Sequence, residues 1–247
     1  MRKLVAALAC RAGGTRLYGK PLHNLDLDRK LTVLEYQIEF LRTQPEIEGI
    51  VLGVAEGPES EPFHAIARKQ GLASIRGDEV DVLMRLVQCG EAGGGTDVFR
   101  ITTESPFIYF EPIPEVWRAH VAHGNDITSV AGVPDGPGFE MITLETLRRS
   151  HRLGDSRHRS ELVTLYVREH QDDFRVETIE APPEVNRMDI RLTIDYPEDL
   201  VVCRRIYEHF KGLAPRIPLA RIVEHWDANP DLAALVKPYV AWERWYR

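Results

Sequence analysis

Short, mainly apolar runs recur along the chain, each bounded by polar or turn-forming residues. Four of them, residues 4–10, 49–54, 97–102 and 126–131, have the length of buried strands. Apolar segments of this length are typical of strands that are covered on both faces of a sheet. The pattern therefore predicts strands at these four places.

Between the predicted strands, apolar residues are spaced three and four apart, which is the period of an amphipathic helix. Residues 32–42 show this spacing, and Thr32 and Glu35 form the sequence signature of a capping box. Residues 62–70 and 80–89 predict two further helices. Alternating strands and helices form βαβ units, so the sequence predicts an α/β fold with a mainly parallel, twisted sheet and helices on both faces.

The pattern changes after residue 132, where the turn cluster PDGPG begins the next segment. Residues 139–142 and 174–179 predict strands that flank a helix over residues 161–170. We interpret residues 133–188 as an inserted arm that follows an α/β core of residues 1–132.

The parallel pattern returns near the C-terminus. Residues 191–195 predict a strand and residues 197–210 a helix, so residues 189–247 close the core and end in a helical tail. Two interpretations stay open for the aromatic residues of this tail, burial against the domain or a contact between subunits. Three of the four tryptophans lie there: Trp226, Trp242 and Trp245.

Length and charge narrow the function classes. With 247 residues, the chain is long enough for one large domain with its own core. A formal net charge of −7 argues against general binding to duplex nucleic acid, which requires clustered cations. No apolar stretch approaches the roughly 18 residues of a membrane-spanning helix, so we expect no membrane partner.

Cysteine use and the first residues bear on the compartment. Cys10, Cys89 and Cys203 lie far apart and form no CxxC pair, which argues against a disulfide framework or a zinc site and favours the cytoplasm. The apolar run over residues 4–10 is at the short limit for a signal sequence, and Arg11 follows it directly. A buried strand is therefore the better interpretation.

The segment directly after the first predicted strand combines cations with glycines. Glycines allow backbone to approach an anion, and ligands of open α/β sheets bind at the carboxyl ends of strands. We therefore predict a phosphate-binding loop, with a solvated turn as the alternative. The residues that carry this prediction are Arg11, Gly13, Gly14, Arg16, Gly19 and Lys20.

This loop differs from two common phosphate-binding motifs. The alternating glycines of a GxGxxG motif are absent. Residues 14–20 spell GxxxxGK, but Pro21 stands where a P-loop has the serine or threonine that holds Mg²⁺. We therefore expect cationic side chains to share the phosphate binding with the backbone, and a P-loop ATPase is disfavoured.

Two acidic residues follow predicted strands in the same local setting. Glu104 comes after the strand over residues 97–102, and Asp195 ends the run over residues 191–195. Each precedes a proline by two residues. Two carboxylates at one edge of a sheet supply the hard oxygen ligands that Mg²⁺ prefers. They predict a metal site, with helix capping as the alternative, above all for Asp195.

Two further charged segments stand out. Arg76 lies in a loop after a short predicted strand. Asp81 and Arg85 are spaced four apart on the next helix, as in a surface ion pair or a contact to a nucleotide base or ribose. Residues 157–161 read RHRSE and suit either an anionic ligand or a solvated face. His158 in this run belongs to the residue type that titrates near neutrality.

Taken together, these segments resemble the cytidylyltransferases that make CMP-activated sugar acids. That family includes CMP-Kdo synthetases, CMP-sialic acid synthetases and the spore-coat polysaccharide protein F-like branch. Residues 10–22, CRAGGTRLYGKPL, are similar to the signature loop, and residues 191–200, RLTIDYPEDL, to a later motif. Residues 76–85 and 100–107 resemble middle segments of the branch, and the likeness covers residues 4–210.

The resemblance implies a Rossmann-like nucleotidyltransferase fold and commonly a homodimer joined by the arm. It also implies a reaction in which an acceptor oxygen attacks the α-phosphorus of CTP and pyrophosphate leaves. In this reading Arg11 and Lys20 are catalytic because they stabilise charge on the triphosphate, while Glu104 and Asp195 hold Mg²⁺. The nucleotide-binding set is Arg11, Ala12, Gly13, Gly14, Thr15, Arg16, Lys20, Arg76 and Asp81. The acceptor-binding set is Glu140, Arg157, His158 and Glu161.

Two positions depart from the family pattern. Tyr18 stands where proline is usual, and Glu104 stands where aspartate is usual. Glutamate is one methylene longer, so it would hold a cation in a different position or through water. Three functions stay open: transfer of CMP to a sugar acid for surface polysaccharide biosynthesis, transfer to a phosphorylated or phosphonate small molecule, and nucleotide binding without catalysis.

Overall fold

The structure is a computed structural model that describes residues 2–240, and its central element is a seven-stranded sheet. A separate two-stranded antiparallel ribbon joins Asn24–Asp26 to Leu31–Thr32. The strands of the described residues are β1 (Leu4–Cys10), β2 (Asn24–Asp26), β3 (Leu31–Thr32), β4 (Ile47–Ala55), β5 (Ala73–Gly77), β6 (Asp97–Arg100), β7 (Ile127–Ala131), β8 (Glu140–Thr143) and β9 (Val176–Glu180).

The large sheet has the order β5-β4-β1-β6-β8-β7-β9. Strand β8 runs antiparallel to both of its neighbours, and every other pair in this sheet is parallel. The prediction of a mainly parallel sheet is therefore confirmed. Because β8 and β9 belong to the same sheet as β1, the segment predicted as an inserted arm supplies part of the central sheet.

Helices cover both faces of the large sheet. Successive residues of β1 point to opposite faces: Leu4, Ala6 and Leu8 join one core, whereas Val5 and Ala7 join the other. Helices α1, α2, α4 and α7 pack in the first core and α3, α5 and α6 in the second. The helices are α1 (Val33–Leu41), α2 (Glu61–Gln70), α3 (Val82–Ala92), α4 (Ile113–Ala122), α5 (Leu144–Leu153), α6 (Leu165–Glu169), α7 (Pro197–Phe210), α8 (Leu219–Ala228) and α9 (Pro230–Val236).

Local signals in the sequence locate several helices well. The Thr32 hydroxyl accepts a hydrogen bond from the backbone N–H of Glu35, and the Glu35 carboxylate accepts one from the backbone N–H of Thr32, so the predicted capping box is confirmed. Helix α7 spans the predicted residues, with Pro197 at its first position. By contrast, the helix predicted over residues 161–170 is limited to the five residues of α6.

The strand predicted over residues 191–195 is wrong. Only an isolated bridge joins Arg191 to Asp135, and the remaining backbone bonds go to irregular chain. Leu192 N–H donates to the carbonyl of Asp135, and Ile194 N–H donates to the carbonyl of Glu104. Residues 191–195 do alternate between polar and apolar side chains, but their backbone groups hydrogen-bond to loops, so no strand ladder forms.

The tail packs on the first core. Trp226 on α8 is 4% exposed, so burial against the domain is the correct interpretation for this residue. Trp242 and Trp245 lie outside the described residues. The three cysteines are buried and unpaired. Across residues 2–240, no helix has both the length and the apolar character needed to cross a membrane.

A buried polar cluster lies where β1 and β6 begin, at the opposite end of these strands from the loop after β1. The Asp97 carboxylate accepts hydrogen bonds from Arg2 Nε at 3.0 Å and from Thr96 Oγ1, and it lies 3.1 Å from His120 Nε2. Burial alone raises the pKa of Asp97, but its bonds to His120, Arg2 and Thr96 outweigh burial and hold the pKa at about 2. This cluster ties the start of β1 to the start of β6.

Candidate active site

The loop after β1 is compact and requires glycine. The backbone N–H of Gly19 donates to the carbonyl of Ala12 at 2.8 Å, which closes residues 12–19 into a ring. Gly19 has a φ of +62°, which favours glycine. A Cβ at Gly14 would lie 2.5 Å from the carbonyl oxygen of Leu17. The Gly14 and Gly19 positions are thus set by backbone geometry, while Thr15 and Arg16 face solvent.

Lys20 follows this loop and meets a carboxylate from the far end of the chain. Its Nζ lies 2.5 Å from Asp195 Oδ1, and Arg16 Nη2 lies 3.3 Å from the same oxygen. Arg191 Nη2 donates to Asp195 Oδ2 at 2.7 Å. Burial raises the pKa of Asp195, but Lys20 and Arg191 outweigh burial and hold it below its ordinary value. Asp195 is therefore an anion surrounded by three cations.

Asp195 does not cap the helix that follows it. The carboxylate of Asp199 accepts the backbone N–H groups of Asp195 at 2.8 Å and of Tyr196 at 2.9 Å. Arg191 Nε donates to the other oxygen of Asp199 at 2.9 Å. Because Asp199, the third residue of α7, accepts these N–H groups, the carboxylate of Asp195 is left to face the loop after β1. The capping alternative is therefore wrong for Asp195.

Glu104 lies beside this cluster. The hydrogen bond from Ile194 N–H to the Glu104 carbonyl, 3.0 Å long, brings the loop after β6 next to Asp195. Burial raises the pKa of the Glu104 carboxyl, the charge of Lys20 lowers it, and the charge of Asp195 raises it again, with a net increase. Pro106, unlike Pro197, does not begin a helix. The structure thus brings together the two acids that the sequence singled out.

Residues from the segment 133–188 close the opposite side of the loop after β1. Arg11 Nη2 donates to Glu161 Oε2 at 2.9 Å, and both side chains are exposed. Arg100, at the carboxyl end of β6, donates to Glu140 Oε2 at 3.0 Å and to the carbonyl of Glu161. Thr164 donates to the other oxygen of Glu140. Glu140 and Glu161 therefore lie at the same edge of the sheet as Arg11.

Two candidate acceptor residues are engaged elsewhere. The ring of His158 is buried, its Nδ1 accepts the backbone N–H of Asp155 at 2.8 Å, and its Nε2 lies 2.8 Å from Glu169. Arg157 is exposed and pairs with Asp155 and Glu169. Both residues support the shape of this segment and form no contact with the loop after β1.

The segment over residues 76–85 differs from its surface ion-pair interpretation. The loop predicted at Arg76 is wrong, because this residue lies in strand β5, where it is exposed and pairs with Glu61 at 3.3 Å. Asp81 caps α3 by accepting the Met84 N–H, and its other oxygen lies 2.7 Å from His151 Nε2. Arg85 is buried and forms no pair with Asp81, because this position of α3 faces the sheet.

Several residues of the site carried no role in the sequence interpretation. Arg191 stands four residues before Asp195, and this spacing within RLTID was the available signal. No comparable signal in the sequence indicates a role for Tyr196. Its ring stacks on Tyr239 after α9 with centroids 3.8 Å apart, and the Arg16 guanidinium lies 5.1 Å from the Tyr196 centroid. The last described residues therefore reach the rim of the site.

The site combines a cationic loop with a pair of carboxylates. Arg11, Arg16 and Lys20 present three positive charges around backbone that can approach an anion closely. Asp195 and Glu104 offer hard oxygen donors next to them. Such a set can bind a polyphosphate together with a divalent cation.

Comparison with known proteins agrees with this description. No family model matches the chain. Among curated proteins, spore coat polysaccharide biosynthesis protein SpsF of Bacillus subtilis (strain 168) is 30% identical over 237 residues, which cover 94% of this chain and 98% of SpsF. The uncharacterized protein MJ1063 of Methanocaldococcus jannaschii is 26% identical over 230 residues, with 93% of each chain covered.

Solved structures share the fold. A cytidylyltransferase from Leptospira borgpetersenii has a TM-score of 0.84 at 22% identity, with 94% of this chain and 97% of that chain covered. CMP:2-keto-3-deoxy-manno-octonic acid synthetase complexed with CTP has a TM-score of 0.63 at 15% identity, with 84% and 99% covered. The fold is therefore that of these nucleotide-transferring enzymes of known structure. The chain belongs to the family of SpsF, which confirms the branch that the sequence resemblance indicated.

Proposed function

We propose that this protein is a CTP-dependent cytidylyltransferase that transfers CMP to a sugar acid and releases pyrophosphate. The observation that carries the proposal is the ion cluster in which Lys20 Nζ lies 2.5 Å from Asp195 Oδ1, with Arg16 and Arg191 on the same carboxylate. These groups come from the loop after β1 and from the chain before α7. Their meeting creates a site at the carboxyl edge of a parallel sheet, where α/β proteins bind nucleotides.

The chemistry requires neutralisation of charge more than bond-making by the protein. A hydroxyl oxygen of the acceptor forms a bond to the α-phosphorus and releases its proton to solvent, the bond from that phosphorus to the bridging oxygen breaks, and pyrophosphate leaves with the electron pair. Such transfers depend on positioning and on electrostatic stabilisation. Arg11, Arg16 and Lys20 are the residues that would contact the triphosphate, and Lys20 would exchange Asp195 for a phosphate oxygen.

The carboxylates fit a divalent cation. Asp195 offers hard carboxylate oxygens, and a divalent cation would take the place that Lys20 and Arg16 hold at Oδ1 once these side chains bind phosphate. Glu104 lies beside it, and a bound cation would favour its ionised form against the burial that raises its pKa. Asp195 and Glu104 would hold Mg²⁺, which when bound neutralises charge on the triphosphate and polarises the acceptor oxygen.

Charged residues of both signs lie on the proposed acceptor side of the site. Arg100, Glu140 and Glu161 line the edge of the site next to Arg11 and provide both charge signs for a polyhydroxylated acid. The name of SpsF connects that relative to spore coat polysaccharide biosynthesis, which favours a sugar acid. A phosphorylated or phosphonate small molecule would use the same cations, and it is the competing acceptor class.

A thermal-shift comparison of CTP, UTP, GTP and ATP, each with and without Mg²⁺, tests the nucleotide assignment. A ligand at about 100 times its dissociation constant adds about 2.7 kcal/mol. In a domain of this size that raises Tm by roughly 5–11 °C. We expect a selective, Mg²⁺-enhanced response to CTP; a larger response to another nucleotide contradicts the assignment.

A matched pair of lysine variants tests the site. Lys20→Met removes the cation from Asp195, whereas Lys211→Met removes a cation from Asp26, beyond the other end of α7. Since α7 has 14 residues, its two ends lie about 21 Å apart. We expect the response to CTP to disappear in Lys20→Met and to persist in Lys211→Met.

An acceptor screen then separates the acceptor classes. Pyrophosphate release is measured with Kdo-like and sialic-acid-like sugar acids in one set and with phosphorylated or phosphonate compounds in the other. Turnover in the first set only supports the proposal, and turnover in the second replaces the acceptor. CTP binding without turnover in either set favours a non-catalytic nucleotide-binding module.

The resemblance also implies a homodimer with residues 133–188 at the contact, and the cysteine use favours the cytoplasm as its location. We propose the homodimer separately from the reaction, because the structure describes a single chain, with no subunit contact among the described residues. Light scattering of the purified protein at several concentrations tests it, and a mass of one chain throughout contradicts it.

A further inference from the structure

Arg85 is a buried cation beneath the loop after β1. Its side chain is 1% exposed, although arginine is rarely buried without an acid beside it. Nη1 donates to the carbonyls of Cys10 at 3.0 Å and Gly53 at 2.9 Å, and Nη2 donates to the carbonyl of Glu79 at 3.1 Å. Its Nε is buried and has no hydrogen-bond partner among the described residues.

These three carbonyls lie near the carboxyl ends of three neighbouring strands, where the candidate site lies. Cys10 is the last residue of β1 and directly precedes Arg11, Gly53 lies near the carboxyl end of β4, and Glu79 lies in the loop after β5. The Arg85 guanidinium therefore fixes the carboxyl ends of the adjacent strands β1 and β4 together with the loop after β5. The planar fork of arginine suits this task, since lysine has a single donor centre.

Glycine makes room for this side chain. A Cβ at Gly77 would lie 2.7 Å from Arg85 Cγ and 2.9 Å from Gln88 Oε1. Gly77, the last residue of β5, therefore has a packing role. Gly77 is required by the buried arginine that lies eight positions further on.

The charge of Arg85 has no partner of opposite sign in the described part of the chain. The nearby thiols are not thiolates: burial raises the pKa of Cys89 to about 12 and raises that of Cys10 further. Asp78 turns its carboxylate to the N–H groups of Val80 and Asp81. Burial lowers the pKa of Arg85, yet a guanidinium remains protonated near neutral pH.

We propose that Arg85 is a positioning residue for the triphosphate: it holds the Cys10 carbonyl, at the base of the loop after β1, against β4 and the loop after β5, and its unpaired charge is balanced when a polyphosphate binds. Uncompensated charge in a weakly polarisable environment acts over longer distances than a surface charge does. The inference rests on the proposed function only in its choice of CTP as the nucleotide.

The test measures affinity against the number of phosphates, by calorimetry on the full chain with CTP, CMP and inorganic tripolyphosphate. We expect Arg85→Met to weaken CTP and tripolyphosphate by about 30-fold or more, a loss typical of hydrogen-bonded charged groups, and to weaken CMP much less. Arg85→Lys keeps the charge but has a single donor centre for the three carbonyls, so it should recover only part of the tripolyphosphate affinity. A residue with a merely structural role would lower the affinities for CTP and CMP by the same factor.

Two further variants separate the proposed role of Arg85 from a failure to fold or a general loss of stability. If Arg85→Met does not fold, Gly77→Ala displaces the same side chain while keeping its charge, and we expect the same preferential loss of tripolyphosphate. Arg2→Met removes an arginine from the opposite edge of the sheet; it should lower Tm without changing the ratio of CTP to CMP affinity. Equal losses for all ligands, or unchanged tripolyphosphate binding, overturn the proposal for Arg85.

The outcome also separates this inference from the proposed function. If the wild-type protein prefers another nucleotide but Arg85→Met still loses tripolyphosphate, the cytidylyltransferase assignment fails and the role of Arg85 stands. If CTP is preferred but the variant binds it normally, the function stands and the role of Arg85 fails.

Discussion

Substitution of one loop glycine should separate the fold from the nucleotide site. In Gly14→Ala the new Cβ would lie 2.5 Å from the carbonyl oxygen of Leu17 and 3.4 Å from its carbon. Carbon–oxygen contacts in proteins lie near ~3.3 Å or above, so loop atoms must move by about 0.8 Å. Overpacking of this kind costs about 1–3 kcal/mol. The ring closed by the bond from Gly19 to Ala12 must absorb this movement.

The expected result is a modest loss of stability and a larger loss of binding. Tm should fall by roughly 2–12 °C, and CTP affinity by about 10–100-fold as one charged hydrogen bond to phosphate is lost. Thermal denaturation and calorimetry measure the two effects. Gly212→Ala is the matched control, because a Cβ there meets nothing within 4 Å. Unchanged CTP affinity in Gly14→Ala would refute the assignment of this loop to the triphosphate.

Three further predictions follow from other contacts. The pKa of Asp97 is held at about 2, below its unfolded value, so its stabilisation is complete above pH 4 and is lost as pH falls towards 2. The loss amounts to about 2–3 kcal/mol, and chemical denaturation of Asp97→Asn should show a flatter pH profile over this range. Tyr239→Ala should weaken CTP about 2–10-fold in calorimetry because Tyr196 loses its stacking partner, while Tyr239→Phe should be neutral. Asp195→Asn should abolish the Mg²⁺ enhancement of the thermal shift; an enhancement of wild-type size would contradict its role as a ligand.

Parts of the fold follow from signals that are local in the chain. Thr32 and Glu35 are three residues apart, and Pro197 immediately begins α7, so capping and helix geometry are visible without knowledge of the fold. The buried strand β1 is equally clear, because both of its faces are apolar. In each case the physical cause lies within a few residues.

Other parts depend on contacts that no local pattern contains. Lys20 and Asp195 are 175 positions apart, and their pairing requires the sheet order and the bond from Ile194 to Glu104. The spacing of Asp81 and Arg85 is that of an ion pair, but helix α3 turns Arg85 towards the sheet. A spacing rule cannot tell which face of a helix is buried.

The direction of β8 determines where changes in the chain would alter acceptor choice. Since β8 is antiparallel to β6, its first residue, Glu140, pairs with Arg100 at the carboxyl end of β6, where the candidate site lies. Its last residue, Thr143, pairs with Asp97 at the opposite end of β6. Residues 132–139 therefore lead into the site, and Gly136 packs on the chain just before Asp195. A directed-evolution library for new acceptors belongs in residues 132–139. Insertions in the turns on the opposite edge would lengthen the protein without reshaping the pocket.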